Sequence, residues 1–400
     1  MKKTCIILLA TLISLSAWAQ KATVSGTVVS QLTGKAIAGA TVAAAGVTVV
    51  TNDDGFFTLK SDSTIGAITV SYVGYRSKRV TPTSTKDLKI ALTPTTIQLR
   101  EVLVVADNPR DLVNEAIRKI PQNYSREPTL YNCFYRETTM KRQHYISVAE
   151  GVIDMYKNSY THGTNRDRVA IRKGRRLLSP KQSDTLSVKV MGGPVTPVWL
   201  DLVKNTDFLL NAEDLNCYDM KMDTPTSIGD RMQYVVSLAP RVSLPFALYY
   251  GKLYIDQETL AFTRAELSLD VSDREKATQL MLIKKPRGVR FRPKEVSLLV
   301  DYRYDNGLTH ISYVRATFRF NCDWKRRLFA TSFTAFCEMA VTGRTNRDVH
   351  PIRGRDSFDQ RDAFFDKVDY FRDPVFWQDY NIIEPTESLD HAIGRLLKKY

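Results

Sequence analysis

The chain has 400 residues, 43% of them hydrophobic and 25% charged, with a formal net charge of +14. That balance belongs to a folded chain and excludes both intrinsic disorder and a multi-span helical membrane protein. At about 100 to 200 residues per domain the length calls for two or three units, and 19 tyrosines lean towards β structure.

The first nineteen residues differ from the rest. Lys2 and Lys3 precede an apolar run from Ile6 to Leu15 and the triplet Ala17-Trp18-Ala19, the pattern of a secretory signal over residues 1–19, cleaved after Ala19. The run is far short of the roughly 20 residues that a spanning helix needs, and no later stretch is long and apolar enough. Cys5 lies ahead of the run, so it is no lipoprotein acylation site. Once exported, a basic chain meets anionic lipid head groups, acidic glycans or other envelope polymers before nucleic acid. Net charge also serves solubility alone.

Residues 20–98 alternate short apolar runs with turn signals about every ten residues, as a small β-sandwich does. Val24, Gly26 and Val28 open it, Thr33-Gly34-Lys35-Ala36-Ile37-Ala38-Gly39-Ala40-Thr41-Val42 turns and re-enters a strand, and Thr51-Asn52-Asp53-Asp54-Gly55-Phe56-Phe57-Thr58-Leu59 reads as a tight hairpin. Val70-Ser71-Tyr72-Val73-Gly74-Tyr75 and Leu88-Lys89-Ile90-Ala91-Leu92 close the unit. These motifs resemble the carboxypeptidase-like regulatory domain, a transthyretin-like sandwich over about 75 residues. In one bacterial phylum, the Bacteroidetes, that module also precedes TonB-dependent receptors and many envelope proteins. The resemblance implies a seven-stranded-type sandwich in a cell-envelope protein. Leu99-Arg100-Glu101-Val102-Leu103-Val104-Val105 resembles the linker that follows the module in such receptors. The residues beyond it are too few for a plug and a 22-stranded barrel.

Residues 99–125 form a linker strand and a helix. Asn108-Pro109 breaks the chain, and over 110–124 Leu112, Val113, Ala116, Ile117 and Ile120 share one helical face, with Pro121 ending it. From 126 to 345 β signals dominate. Strands are expected at 145–156, 232–238, 248–255, 260–271, 279–284, 296–304, 310–321 and 328–341. The connections Asp256-Gln257-Glu258-Thr259, Pro286-Arg287-Gly288 and Asp305-Asn306-Gly307 are short, so neighbours run antiparallel in an open sheet, a half-barrel or a closed barrel. The hairpin from Gly251 to Glu266 is similar to those of periplasmic lipoprotein carriers and related lipid-binding half-barrels. Residues 346–400 are irregular and aromatic-rich, ending in a helix over 388–400 with Leu389, Ile393, Leu396 and Leu397 inward. The expected fold is mainly β: a sandwich, a short helix, a large antiparallel sheet and a C-terminal helix.

Little in the chain carries chemistry. His144, His162, His310, His350 and His391 never occur as H-x-x-E or H-E-x-x-H, no G-x-S-x-G elbow is present, and Met191-Gly192-Gly193-Pro194 has no phosphate-cradle lysine. Asp53 and Asp54 are explained by a turn, and Asp366 and Asp369 by solvation. Cys133, Cys217, Cys322 and Cys337 show no CxxC spacing and read as buried free thiols; Cys322 and Cys337 do not pair across a hairpin turning near Lys325. Charges inside strands are expected to pair across the sheet, Arg136 or Arg264 with Glu137 or Glu150. The densest charge feature is Arg166, Arg168, Arg172, Lys173, Arg175, Arg176 and Lys181, expected on a loop between strands. There it could bind anionic lipid at about 1 kcal/mol per cation or be simply solvated.

No catalytic, cofactor or metal residues are assigned. The chain reads as a non-catalytic exported protein, periplasmic or outer-membrane associated, that binds a lipid-like ligand, a glycan or a partner protein, with an anionic membrane surface as a further partner and no nucleic acid. Two alternatives are an outer-membrane barrel behind a soluble module and a hydrolase of envelope polymers. Arg264, Glu266, Arg315 and Arg319 weigh against the barrel, since lipid-facing arginine near the midplane costs about 2 to 4 kcal/mol.

Overall fold

The computed structural model describes residues 21–95, 108–181, 188–190, 192–325, 329–359, 362–371, 376–377 and 380–398. The expected signal and the strand at 99–105 lie outside these residues.

Seven strands build the N-terminal unit: β1 (Ala22–Ser30), β2 (Thr41–Ala44), β3 (Val47–Val50), β4 (Phe56–Ser61), β5 (Ile68–Ser71), β6 (Lys78–Val80) and β7 (Leu88–Leu92). They form two sheets, β4-β1-β7 and β3-β2-β5-β6, with β1 antiparallel to β4 and parallel to β7. Alternation does the work: Val24 and Val28 on β1, Phe57 and Leu59 on β4, and Ile90 and Leu92 on β7 point inward. They meet Val42, Val49, Ile68 and Val70 from the other sheet.

The segment Thr51–Gly55 is not a hairpin. β3 and β4 lie in different sheets, so the chain crosses the sandwich there. The Asn52 side chain accepts the amides of Asp54 (3.0 Å) and Phe56 (2.9 Å). Gly55 has φ +74°, and a Cβ there would lie 2.5 Å from the Val28 carbonyl oxygen. Turn chemistry specifies a reversal, not the sheet that the next strand joins.

Beyond the sandwich, α1 (Pro109–Arg118) begins at Asn108, whose side chain accepts the amide of Arg110. The helix expected over 110–124 breaks at Lys119. A single turn, Ile120–Asn123, restarts with Pro121 near its N-terminus, where the missing N–H is harmless. The strands that follow are β8 (Thr129–Lys141), β9 (His144–Lys157), β10 (Arg168–Leu178), β11 (Lys189–Val190), β12 (Tyr218–Ile228), β13 (Arg231–Pro240), β14 (Tyr249–Asp256), β15 (Phe262–Leu269), β16 (Leu282–Lys284), β17 (Val289–Asp305), β18 (Leu308–Trp324), β19 (Thr331–Thr345) and β20 (Asp369–Tyr370). The first half of the strand expected at 279–284 is instead the end of α2 (Arg274–Met281), which Asp273 caps by accepting the amides of Glu275 and Lys276, while the second half is β16. The cap wins over a short apolar run.

Eleven strands make one sheet in the order β12-β13-β14-β15-β17-β18-β19-β8-β9-β10-β20. Neighbours are antiparallel except the edge pair β10 and β20. Among the described residues β12 and β20 do not pair with each other, so the sheet is open rather than a closed barrel. It is covered on both faces. On β8, Tyr131, Cys133 and Tyr135 enter a core shared with α1, α2 and the segment 196–215. Phe134, one residue out of step, enters a second core with Val50 of the sandwich, Tyr313, Ala340, Trp377 and Ile383. On β9 every residue from Val148 to Lys157 is buried, as double-sided cover requires.

The C-terminal segment links the two faces. Phe364 and Val368 pack on the Tyr135 side of the sheet. Gly151 and Gly174 sit opposite each other on β9 and β10 and leave the room, because a Cβ at Gly151 would be 2.8 Å from Phe364 and one at Gly174 2.3 Å from Val368. β20 then runs along the sheet edge. Trp377, Ile382 and Ile383, followed by α3 (Glu387–Leu397), cover the opposite face. This segment also holds the sandwich: the Asn52 side chain donates to the Pro385 carbonyl (2.9 Å), the Lys60 amide donates to Asn381 (2.8 Å), and Asp54 accepts the Glu387 amide (2.7 Å). Arg315 of β18 pairs with Asp53 (2.7 Å).

Candidate functional site

On the Tyr135 face, one end of the sheet keeps a hollow of about 470 Å³. Its walls come from β8, β9, β10, β11, β18, β19 and the segment around Phe364, with Ile146, Ala149, Leu178, Val190, Phe318 and Phe336 among the apolar residues that line it. Glu137, Asp362 and Asp366 are the charged residues that line it. Asp362 lies 2.8 Å from Lys367. Glu137 is held from the sheet side. Its carboxylate accepts the Tyr135 hydroxyl (2.6 Å) and the Gly193 amide (2.5 Å), which ties the 192–193 turn to the sheet. Burial pushes the Tyr135 hydroxyl and the Cys337 thiol well above their ordinary ranges, so both stay protonated. A thiol held neutral is a poor nucleophile.

Two other cavities differ in character. One of about 320 Å³ lies between sandwich and sheet, with Tyr72, Ser77, Gln233 and Thr263 among its walls, and its charges are paired internally: Arg231 with Asp256 (2.7 Å), Arg264 with Asp301 (3.0 Å). The second, about 640 Å³, is an open groove by the start of β10 with Arg168, Trp199 and Phe358 along it.

Below the apolar hollow the same face holds a fully buried ionic cluster. Lys157 lies 2.8 Å from Asp201 and 3.5 Å from Asp167, and Lys204 lies 2.8 Å from Asp167. The hydroxyls of Tyr160 (2.9 Å) and Tyr302 (2.8 Å) donate to Asp201. Burial opposes the Lys157 ammonium, but Asp201 and Asp167 outweigh it and hold its pKa above the usual lysine range. Burial, with the charge of Lys157, pushes Lys204 down to about 8, Asp167 opposing. Two cations against two carboxylates leave the cluster neutral, as burial demands.

The opposite face carries a second cluster. Arg136, 2% exposed, donates to Glu150 (2.8 Å), Glu338 (3.1 Å) and the Ile383 carbonyl (2.6 Å). Arg175 (3.1 Å) and the Trp377 indole (3.3 Å) also donate to Glu150, and the Tyr313 hydroxyl donates to Glu338 (3.1 Å). Burial raises the Glu150 carboxyl, but Arg136 and Arg175 outweigh it and keep it below the usual carboxylate range. For Glu338, burial prevails and the pKa is raised. The expected pairing of Arg136 with Glu150 is present. Arg264 pairs with Glu266 (2.7 Å) and Asp301 instead.

The seven basic residues expected on a loop are differently placed. Arg168 to Arg176 lie on β10, and only Arg166, in a 3-10 turn, and Lys181 flank it. Arg172 pairs with Asp154 (2.5 Å), Lys173 donates to the Phe376 carbonyl (2.8 Å), Arg175 stacks on Phe371 (3.9 Å to the ring centre), and Arg176 donates to the Phe365 carbonyl (2.5 Å). Arg168 donates to the carbonyls of Asn165 and Asp167. The strand is legible only through Val169, Ile171 and Leu177, whose alternation the charges conceal. The cluster of Lys157, Asp167, Asp201 and Lys204 was missed because its members are spread over 48 residues of unremarked sequence; the only local trace is a lysine ending an otherwise apolar strand. Cys133, Cys217, Cys322 and Cys337 are free, three of them buried, and the β18–β19 register sets Cys322 against Thr331. Among the described residues no group of three or more His, Cys, Asp or Glu could hold a metal ion, and no helix is long and apolar enough to cross a membrane.

The fold and its cavities define a mainly β protein with a small sandwich docked on a large, two-sidedly covered open sheet. Residues 24–104 match the CarboxypepD_reg-like domain, so the N-terminal sandwich is a domain of that kind. No curated protein matches the chain. Among solved structures, a DUF1329 family protein from Desulfovibrio piger is 9% identical, covering 60% of this chain and 94% of its own, with a TM-score of 0.26. A LolA superfamily protein from Nitrosomonas europaea is 14% identical, covering 60% and 94%, with a TM-score of 0.20.

Proposed function

We propose that the chain is an exported, non-catalytic binding protein of the bacterial envelope that holds a lipid-like ligand in the hollow between β8, β9, β18 and β19. The observation that carries this reading is the hollow itself. Its roughly 470 Å³ falls within the range of small-molecule pockets, and its walls are mostly aliphatic and aromatic. Its lining carboxylates have partners: Glu137 accepts from Tyr135 and Gly193, Asp362 pairs with Lys367 (2.8 Å) and Asp366 with Arg176 (3.7 Å). Such a site rewards apolar contact at about 25 cal/mol per Å² and offers few polar anchors. The signal-like N-terminus supports export, and the regulatory-type sandwich supports an interaction role in the envelope.

The test is native mass spectrometry and lipid extraction on residues 20–400 purified without detergent. A stoichiometric lipid, displaced in Ala335→Trp, whose side chain would fill the hollow, is the expected result. A ligand-free monomer from the same envelope preparation would remove the lipid reading.

A further inference from the structure

Antiparallel pairing sends alternate turns of the sheet to opposite ends. The turns joining β8 to β9, β13 to β14, β15 to β17 and β18 to β19 therefore share one end. From β13 to β9 that end spans eight adjacent strands, or about 34 Å at the usual strand spacing.

This rim is unusual in two respects. It carries large apolar side chains in water: Phe246 is 45% exposed, Ile283 54% and Phe329 76%, with Val242 at 40%. Between them lie the exposed cations Arg142, Arg241, Lys284, Lys285, Arg287 and Lys325. The carboxylates on these turns are Asp270, Asp273 and Glu275. Asp270 is occupied by the Ser272 amide and Asp273 by the start of α2. At the opposite end the turns carry Asp230, Asp256, Glu258 and Asp305, and the Ser77 amide of the sandwich docks on Asp230 (2.8 Å). There Asp256 is paired with Arg231 and Asp305 with Arg344. On the rim Asp323 is paired with Arg292, so the exposed rim cations stand without carboxylates between them on the turns other than those of the 270–275 segment.

We infer that the rim is a docking surface for an anionic phospholipid bilayer, the cations meeting head groups while Phe246, Ile283 and Phe329 enter the interface. Charge complementarity selects this occupant: a cationic rim studded with isolated apolar tips suits an anionic, apolar-backed surface. The rim is also continuous with the wall of the hollow. β11 pairs with β16, which bears Ile283 and Lys284, and Val188 and Val190 line the hollow. The surface is distinct from the basic face of β10, whose cations are largely engaged within the fold.

The test is co-sedimentation of residues 20–400 with vesicles of phosphatidylcholine alone or with roughly a third of phosphatidylglycerol. Binding to the anionic vesicles only is expected. At about fivefold per cation, Lys284→Gln with Lys285→Gln weakens it about 25-fold. Phe246→Ser with Phe329→Ser weakens it about tenfold or more, and Arg166→Gln with Arg347→Gln, at the opposite end of the sheet, leaves it unchanged. All six positions are exposed, and far-UV circular dichroism checks that each variant folds. No binding to anionic vesicles, or binding indifferent to both rim variants, overturns the inference. Loss in the charge variant without loss in the aromatic variant also overturns it, leaving a surface for soluble polyanions. Because vesicle binding needs no ligand in the hollow, its outcome is independent of the lipid-extraction result.

Discussion

Replacing Arg136 by methionine keeps most of the side-chain volume and removes the charge that the Phe134 face is built around. Glu150, 1% exposed, would keep Arg175 and the Trp377 indole, whereas Glu338, 6% exposed, would keep only the Tyr313 hydroxyl. The Ile383 carbonyl would lose its donor. Breaking a buried ion pair by deleting one partner costs about 3 to 5 kcal/mol, and the orphaned carbonyl adds about 1 kcal/mol. The expected loss is therefore about 4 kcal/mol or more, read as a lower urea midpoint of residues 20–400 by circular dichroism. Glu338, whose pKa is already raised, would be raised further. A carboxyl with a folded pKa above its unfolded one loses stability as pH rises through that window, so the penalty should shrink at low pH. Glu338→Gln in the Arg136→Met background should recover part of the loss. A loss under about 1 kcal/mol, or no recovery on neutralising Glu338, would refute the assignment of this cluster as the anchor of the face.

Further outcomes follow from the same geometry. Burial lowers the pKa of His310 from 6.5 to about 4, so the unfolded chain binds its proton first. Stability should be complete above about pH 6.5 and fall by about 3 kcal/mol towards pH 4; His310→Gln should flatten this slope in urea titrations at several pH values, and an unchanged slope would assign it elsewhere. Gly174→Ala places a methyl against Val368 and the Glu150 carbonyl, and should cost about 1 to 3 kcal/mol while accelerating hydrogen exchange over 364–370. Wild-type exchange there would show that the glycine pair does not seat this segment.

The sandwich was legible because its inward residues alternate on short strands between strong turn signals, and its motif is compact in sequence. The long strands β17, β18 and β19 were legible from the same alternation. What alternation cannot show is cover on both faces. On β9 the run from Val148 to Lys157 is buried throughout, so Glu150, Asp154 and Lys157 interrupt no apolar face; Glu150 and Lys157 belong to two separate clusters, and Asp154 pairs with Arg172. Lys157 finds Asp201 44 residues away, and Glu150, beyond the expected Arg136, finds Arg175 and Trp377 25 and 227 residues away, with no local pattern to announce them. Asp53 and Asp54 illustrate the same limit at short range. Their turn accounts for their presence, yet Arg315 and the Glu387 amide use them to join three parts of the chain.

That double cover changes how the net charge should be read. A sheet with one wet face would display its strand-borne arginines to solvent, and β10 would then be the natural anionic-surface site. Here the C-terminal segment lies over that strand and takes Lys173, Arg175 and Arg176 into contacts with Phe376, Phe371 and Phe365. The cations of β10 have become structural, whereas Lys284, Arg287 and Lys325 at the rim stay exposed. A basic composition therefore points to the ends of this sheet rather than to its faces, and the end bearing Phe246 and Phe329 joins exposed cations to exposed apolar tips. The end bearing Phe246 and Phe329 is also the one towards which the apolar hollow lies, through Thr139, Ser147 and Ala335 near the tops of β8, β9 and β19. A ligand drawn from a bilayer would meet the rim and the hollow in that order.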